Sequence, residues 1–561
     1  MELEISKVPF SRYGSYFVFS IDPKSKELLL RDVHGGDESE SKLFKIDVIK
    51  KGKSVPYSVN VSETKLTLTG IESPSDQINI CISEEDMVHI EGRGIGLRFN
   101  AVKTRYDNVL RFDSNQWEYH FYSKEIKMMF SLIEGKVVLN APWKIVGNEN
   151  IAMEVEPQGD YMHFVIENYK TVWRNKEFTS YEVAQKKVDK CYEKWVNSMT
   201  EVPEEYSSSR ELASYITWSC VVHPQDRLTR YAMYMSKNWM YNIWSWDNCF
   251  NAMMLSTNHP QLALDQLLLF IDNQDDSGIY PDFINDKFSS FSCCKPPIHA
   301  WAFNILRKNN NFFNKKEVVE LMYESLSKVT KYWLVHRRKN KGILPLYNHG
   351  NDSGWDNASV FHSGIPVESP DLAAHLIKQM DILSDMALEL GKIEEKDRWK
   401  SEADDMYELL IKRLWKEDGF SAILHDLEEK EIPYRNSLLL RLPIVIGYRL
   451  PLEIRDNIVK SLKEDFTSVF GLTTEAYKSS LYQENGYWLG PVWAPVMYII
   501  IDALNSYGYS SIAKDYAKRF CNATLVGGMA ENFDPFSGKG LVDPAFTWTS
   551  SVFLMLAREY L

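Results

Sequence analysis

The stretch Asn351-Asp352-Ser353-Gly354-Trp355-Asp356-Asn357 sets two acids, an indole and a flexible glycine between two segments of helical periodicity. A loop of this composition has few groups to bury and many to hydrate, which suits a binding loop better than a connector. Three more stretches repeat the mixture of aromatics, carboxylates and Gly or Pro. One runs Trp244-Ser245-Trp246-Asp247-Asn248 and continues at Gln274 to Asp282; another is Glu484 to Pro495, containing Tyr487, Trp488 and Trp493; the last is Glu531 to Gly538, with Trp548 close behind.

A sugar presents hydroxyls at its rim and C–H groups on its faces, so its site needs carboxylates and amides around the ring and an indole or phenol against it. Glycoside hydrolysis also needs two carboxyls, one protonated to donate to the leaving oxygen and one ionised to activate water or to attack the sugar. From residue types alone, a carbohydrate-active enzyme and a non-catalytic carbohydrate-binding protein both remain open. The sequence has no H-E-x-x-H, G-x-S-x-G or G-x-x-x-x-G-K-[ST], which removes the common zinc-peptidase, serine-esterase and P-loop readings. The 12 histidines are dispersed; His299 and His349 lie near candidate loops and read as hydrogen-bonded structural residues, so no metal and no cofactor is expected.

The four stretches resemble, in order, motifs of glycoside hydrolase family 63 and its mannosylglycerate hydrolase-like bacterial relatives: Trp-Ser-Trp-Asp at 244–247, Ser-Gly-Trp-Asp-Asn at 353–357, Tyr-Trp-Leu-Gly-Pro-Val-Trp at 487–493 and Glu-Asn-Phe-Asp-Pro-Phe-Ser-Gly at 531–538. The resemblance implies an (α/α)6 barrel behind an N-terminal β-sandwich and an inverting, metal-free hydrolase of α-glucosides. It makes Asp356 the general acid and Glu531 the general base, and puts Trp246, Asp247, Gln274 and Trp355 around the non-reducing sugar. Tyr487, Trp488, Trp493 and Trp548 are further candidate substrate contacts. Two positions depart from the pattern, Leu489 where arginine is frequent and Lys295 where glutamine is frequent; both bear on the acceptor side. The expectation is an exo-acting α-glucosidase on short glucosides, with hydrolysis of a glucosyl- or mannosyl-glycerate as the alternative, in which Lys295 meets the acceptor carboxylate.

Composition agrees with a small carbohydrate as the partner. The net charge of −13, with Lys and Arg scattered, argues against nucleic acid or an anionic membrane. Seven cysteines form no C-x-x-C pair and no metal spacing, and the first residues lack the basic and apolar regions of a secretory signal; both lead to the expectation of a cytoplasmic protein with reduced thiols. The apolar runs 267–271 and 496–501 are far short of a membrane span. Nothing in the sequence sets an oligomeric state.

The elements that must position these loops change character along the chain. Up to about residue 175 the pattern has period two, as in Ile78, Ile80 and Ile82 alternating with Asn79, Cys81 and Ser83, or Leu66 and Leu68 with Thr67 and Thr69. This predicts a β-sandwich of roughly a dozen strands over 1–177, with a charged helical linker at 178–206. From 207 to 561 the period is 3.6. Asn314 and Glu317 make a capping-box-like start for a helix with Val318, Leu321, Met322, Leu326, Val329 and Trp333 on one face. Ser369-Pro370 opens another, which Gly391 ends, and further helices are expected at about 395–415, 452–464, 491–506, 511–524 and 547–560. No fixed-period repeat supports a helical array, so paired inner and outer helices closing into a toroid are expected.

Overall fold

A computed structural model describes residues 1–36 and 38–561. The chain divides into two compact units: one comprises Met1–Met199, Ser214–His223 and Ser236–Tyr241, the other Thr200–Ala213, Pro224–Met235 and Asn242–Leu561.

The first unit is a sandwich of a seven-stranded and an eight-stranded antiparallel sheet. The alternation in the sequence is the alternation of its faces: in Leu66–Gly70 the leucines are buried and the threonines between them are half-buried. The sheets meet through aromatic edges, with Phe44 and Phe99 of one sheet against Tyr119, Phe130 and Phe164 of the other. The helix α1 (Tyr181–Val196), expected in a linker, belongs to this unit. Tyr181, Ala184 and Val188 are buried, and α1 packs on the strands Gln77–Glu84 and Met87–Arg93, because its apolar stripe has to be covered by something.

The second unit holds the barrel. Its inner layer is α3 (Asp247–Leu255), α5 (His299–Asn309), α7 (Pro370–Glu389), a buried 3-10 segment Leu438–Ile446, α10 (Ala494–Ser506) and α12 (Thr547–Tyr560). Each packs on the next and α12 returns to α3, so the six close a ring. Hydrophobicity sorts the layers: every residue of α3 is buried, whereas α8 (Ile393–Leu414) buries only Trp399, Ala403, Met406, Leu410 and Leu414. Outside the ring lie α4 (Pro260–Asp272), α6 (Lys316–His336), α8, α9 (Leu452–Ser461) and α11 (Ser510–Gly527), packed on α3, α7, α7, the 3-10 segment and α10 respectively. Tyr206 and Ser209, at the start of α2 (Ser207–Ser219), complete the outer layer against α11 and α12 through bonds to Asn522 and Thr524 and the Phe553 ring.

Two helix starts differ in detail from the sequence reading. The Asn314 amide donates to the Arg307 carbonyl and to Asn311 instead of capping, and α6 begins two residues later with no side-chain cap. Ser369 does precede Pro370 at the start of α7, but its hydroxyl donates to the Asp371 carboxylate, so the buried acid takes the bond. Gly391 follows α7 with φ of 73°, the left-handed turn that glycine adopts without strain. Among the described residues no helix is long and apolar enough to cross a membrane.

Candidate active site

Each candidate stretch runs into an inner helix or lies in the segment preceding one. Residues 244–246 precede α3, 282–298 precede α5, 346–369 precede α7, 484–493 precede α10 and 529–546 precede α12. Inner and outer helices alternate along the chain, so the inner ones run the same way and their preceding loops gather at one end of the ring.

The loop bearing Asp356 is held by its neighbours. The Asp352 carboxylate accepts from the backbone N–H of Cys294 (2.9 Å), Asn348 (2.9 Å) and His349 (3.2 Å) and from the Arg337 guanidinium (2.9 Å). These bonds fix the turn Gly350–Ser353 to α6 and to the loop before α5. Gly354 follows at φ of 75°, and a Cβ there would meet the Trp246 indole at 2.6 Å, so only glycine lets that ring lie against the loop. On the far side of Asp356, Asn357 donates to the Gly486 carbonyl and accepts from Trp488 N–H, both at 2.9 Å, which couples this loop to the one before α10.

Glu531 is anchored equally firmly. Its N–H donates to the Asp543 carbonyl (2.7 Å), its own carbonyl accepts from Trp548 Nε1 (3.0 Å), and Asn532 and Phe533 pair with Trp493 and Val492 in a short ladder. The side chain is 1% exposed; Oε1 faces the Tyr487 hydroxyl at 3.5 Å, and Oε2 has no hydrogen-bond partner among the described residues. Asp247, the first residue of α3, is also buried, with Oδ2 unpartnered among the described residues. A buried carboxylate oxygen without a donor is costly. Two of them at the barrel's loop end suit a ligand that supplies O–H groups.

Electrostatics link these groups. Burial, aided by the Asp543 and Asp247 charges, pushes the Glu531 carboxyl up to about 8. Burial likewise pushes Asp247 up to about 7, opposed by the Lys295 ammonium and aided by Asp282 and Asp356. Asp356 is raised by burial too, with Lys295 opposing and Asp282 adding. Tyr487 feels Glu531, Asp356 and Asp247 together, so its phenol stands among all three. The expectation of a raised Asp356 agrees with this; the expectation of a readily ionised Glu531 does not, because the carboxyl lies deep with no cation beside it among the described residues.

The indoles sit differently from the sequence reading. Trp488 and Trp493 stack on each other (centroids 3.8 Å, planes 8° apart), Trp355 lies 5.0 Å from Trp488, and Trp246 and Trp548 close the group at 6.2 Å. Trp488 and Trp493 spend a face on each other, Trp246 and Trp548 meet edge to face, and all five are buried. Tyr487 is only half-buried and is the aromatic of this group with surface to offer. Gln274 is not brought into the cluster. Its amide donates to the Gly278 and Ser325 carbonyls and accepts from the Ser325 hydroxyl (2.6, 3.1 and 2.8 Å), tying a turn to outer helix α6. Leu489 is buried in the turn 486–489. Lys295 is 9% exposed, with Nζ 2.9 Å from the Asn351 carbonyl and 3.1 Å from Asp282 Oδ1.

His299 donates from Nε2 to the Ser245 carbonyl (2.9 Å), and burial pushes it down to about 4, so it is neutral. His349 accepts from Asn351 N–H through Nδ1. Among the described residues no three His, Cys, Asp or Glu are grouped as metal ligands. The residues that sequence reasoning missed are Asp282, Asp352, Asn357 and Arg337. All but Arg337 lie inside the quoted stretches, yet composition does not separate an acid that faces the site from one that braces a loop.

A ring of six inner helices, with carboxyls in the segments at one end, defines the fold class, an (α/α)6 barrel. Residues 240–549 match the family described as "Mannosylglycerate hydrolase MGH1-like glycoside hydrolase domain", more than half of the chain, and the protein belongs to that family. The mannosylglycerate hydrolase of Rubrobacter radiotolerans is 32% identical over 73 residues, 13% of this chain and 16% of that protein. Mannosylglycerate hydrolase MGH1 of Selaginella moellendorffii is 32% identical over 68 residues, 12% of this chain and 14% of that one, so only about one-seventh of such relatives' length is spanned. Among solved structures, the GH63 mannosylglycerate hydrolase of Thermus thermophilus with Tris and D-glycerate superposes with TM-score 0.51 at 18% identity, covering 62% of this chain and 99% of that one. A bacterial glucoamylase complexed with acarbose superposes with TM-score 0.65 at 12% identity, covering 100% and 94%. At these identities the likeness is one of fold.

Proposed function

We propose that the protein is an inverting, exo-acting α-glucosidase. Asp356 protonates the leaving oxygen and Glu531 takes a proton from the attacking water. The observation that carries the reading is the set of three carboxyls from separate segments, Asp247 and Glu531 buried and Asp356 half-buried, that all act on the Tyr487 phenol, with Glu531 Oε2 and Asp247 Oδ2 unpartnered among the described residues. Glu531 Oε2 is the oxygen for the water. Asp247 Oδ2 accepts from the hydroxyls of the terminal sugar, a bond worth about 1.5–3 kcal/mol when the acceptor is charged.

A neutral acceptor fits the charge balance. The cations at the site are already engaged, Lys295 by Asp282 and the Asn351 carbonyl, and Arg337 by Asp352. Asp247 and Glu531, ionised as the mechanism requires, would repel an acceptor carboxylate. A second reading, hydrolysis of a glucosyl- or mannosyl-glycerate, is favoured by the names of the relatives.

Purified protein offered α-linked disaccharides, aryl α-glucosides and both glycosylglycerates separates the two readings. Glucose release from neutral glucosides is expected, and release from glycosylglycerates alone replaces the first reading by the second. NMR of the first turnovers should show β-glucose before mutarotation; α-glucose would mean retention and would remove Glu531 as a simple base.

A further inference from the structure

Lys295 is the buried cation of the site, and the family pattern leaves its position open. Its Nζ lies 2.9 Å from the Asn351 carbonyl on the loop of Asp356 and 3.1 Å from Asp282 Oδ1 on the loop before α5. The same ammonium acts on Asp247 at the start of α3 and on Asp356. Three segments therefore converge on one charge, and with 9% of the residue exposed, bulk water screens little of it. An acceptor carboxylate would have to displace Asp282 to reach it.

We propose that Lys295 is a positioning residue rather than a ligand for the acceptor: its ammonium ties the Asp282 loop to the Asp356 loop, favours the ionised Asp247 that sugar binding needs and sets how readily Asp356 gives up its proton. The inference rests on the roles given above to those two acids.

Other charged and titratable groups face this centre. Asp282, Asp247 and Asp356 face the ammonium directly, and the Cys293 thiol lies beside it. The His349 imidazole acts on Asp356, Tyr487 faces both Asp356 and Asp247, and Glu531 is coupled to Asp247. Asp352 acts on Asp282 but is itself paired with Arg337. Since Lys295 lowers Asp247 and Asp356, its loss raises both. Asp247 must be ionised to accept hydroxyls and Asp356 must be protonated to donate, so both limbs of the activity profile move to higher pH.

The test compares full-length wild type, Lys295→Met and Lys295→Arg, with Lys295→Gln replacing the methionine variant should that one not fold. On the α-glycoside cleaved best by wild type, Lys295→Met is expected to raise KM about tenfold and to move the alkaline limb, set by Asp356, up by about one pH unit, while the acid limb, where Glu531 stands above Asp247, moves less. Lys295→Arg should restore the wild-type limbs, since it restores the charge. A second readout needs no substrate. Carboxyls raised further in the folded state bind protons that the unfolded chain has released, so between pH 5 and 8 the variant loses stability with rising pH more steeply than wild type does. The gap in Tm between wild type and Lys295→Met should therefore be wider at pH 8 than at pH 5, by roughly 2 °C.

An alkaline limb within about 0.3 pH unit of wild type in the neutral variant overturns the proposal whatever happens to KM, because packing alone can change KM. If wild type cleaves no α-glycoside, the functional reading falls by itself and the Tm comparison still decides for Lys295, with an equal gap at both pH values overturning it.

Discussion

The Glu531 carboxyl, raised to about 8, and the Asp247 carboxyl, raised to about 7, must both be ionised for catalysis in the mechanism above, one as base and one as hydroxyl acceptor. Activity should therefore fall steeply on the acid side. At pH 7 roughly one-tenth of Glu531 and about half of Asp247 are ionised, so kcat/KM is expected at roughly one-twentieth of its plateau. Below pH 7 the limb should approach a slope of two. α-Glucosyl fluoride isolates the base, since fluoride leaves without a proton and the state of Asp356 then matters little. The assay is kcat/KM for the fluoride from pH 5 to 9.5, read by fluoride release. Asp247→Asn should reduce the limiting slope to one, and Glu531→Gln should cost on the order of 10² to 10⁴-fold and flatten what remains. A flat profile between pH 5 and 9, or a single limb near the ordinary glutamate range of about 4.3, would refute the assignment of Glu531 as a buried base with no cation beside it.

Asp356→Asn should cost on the order of 10² to 10⁴-fold on an alkyl α-glucoside but far less on the fluoride; equal losses on both would remove Asp356 as the proton donor. Asp247→Ala is expected to lower kcat/KM by about 10- to 150-fold, the equivalent of one charge-assisted hydrogen bond, and kinetics within twofold of wild type would place it outside the sugar site. Gln274→Ala should lower Tm while leaving kcat/KM within about twofold, because its amide bonds only to Gly278 and Ser325; a tenfold rise in KM at unchanged Tm would return it to the substrate. Gly354→Ala forces a Cβ to 2.6 Å from the Trp246 indole at a φ of 75°, and should cut turnover at least tenfold while circular dichroism shows the helical content unchanged.

The sequence by itself determined the two architectures and the loops that carry chemistry. Strand and helix periods are local properties of neighbouring residues, so the alternation at Leu66–Gly70 and the stripe of α6 could be read directly, and Asp247, Asp356 and Glu531 stand out because each sits in a stretch unlike its surroundings. Local pattern was a poorer guide where an apolar run gives no period. The segment Leu438–Ile446, with Pro443 inside it, is a member of the inner ring because its neighbours α7 and α10 bury it on all sides. What only the tertiary structure decided was which groups meet. Asp282 and Lys295 are 13 positions apart on one irregular loop, and Asp352 and Arg337 lie on separate elements, so no spacing rule joins either pair. The indoles were legible as a set, but that Trp488 and Trp493 spend their faces on each other is a matter of how their shared loop folds back. Depth decided the rest: Glu531 owes its raised carboxyl to burial, with no cation beside it and Oε2 unpartnered among the described residues, and burial at the end of a closed ring is a property of the assembled barrel, not of any segment within it.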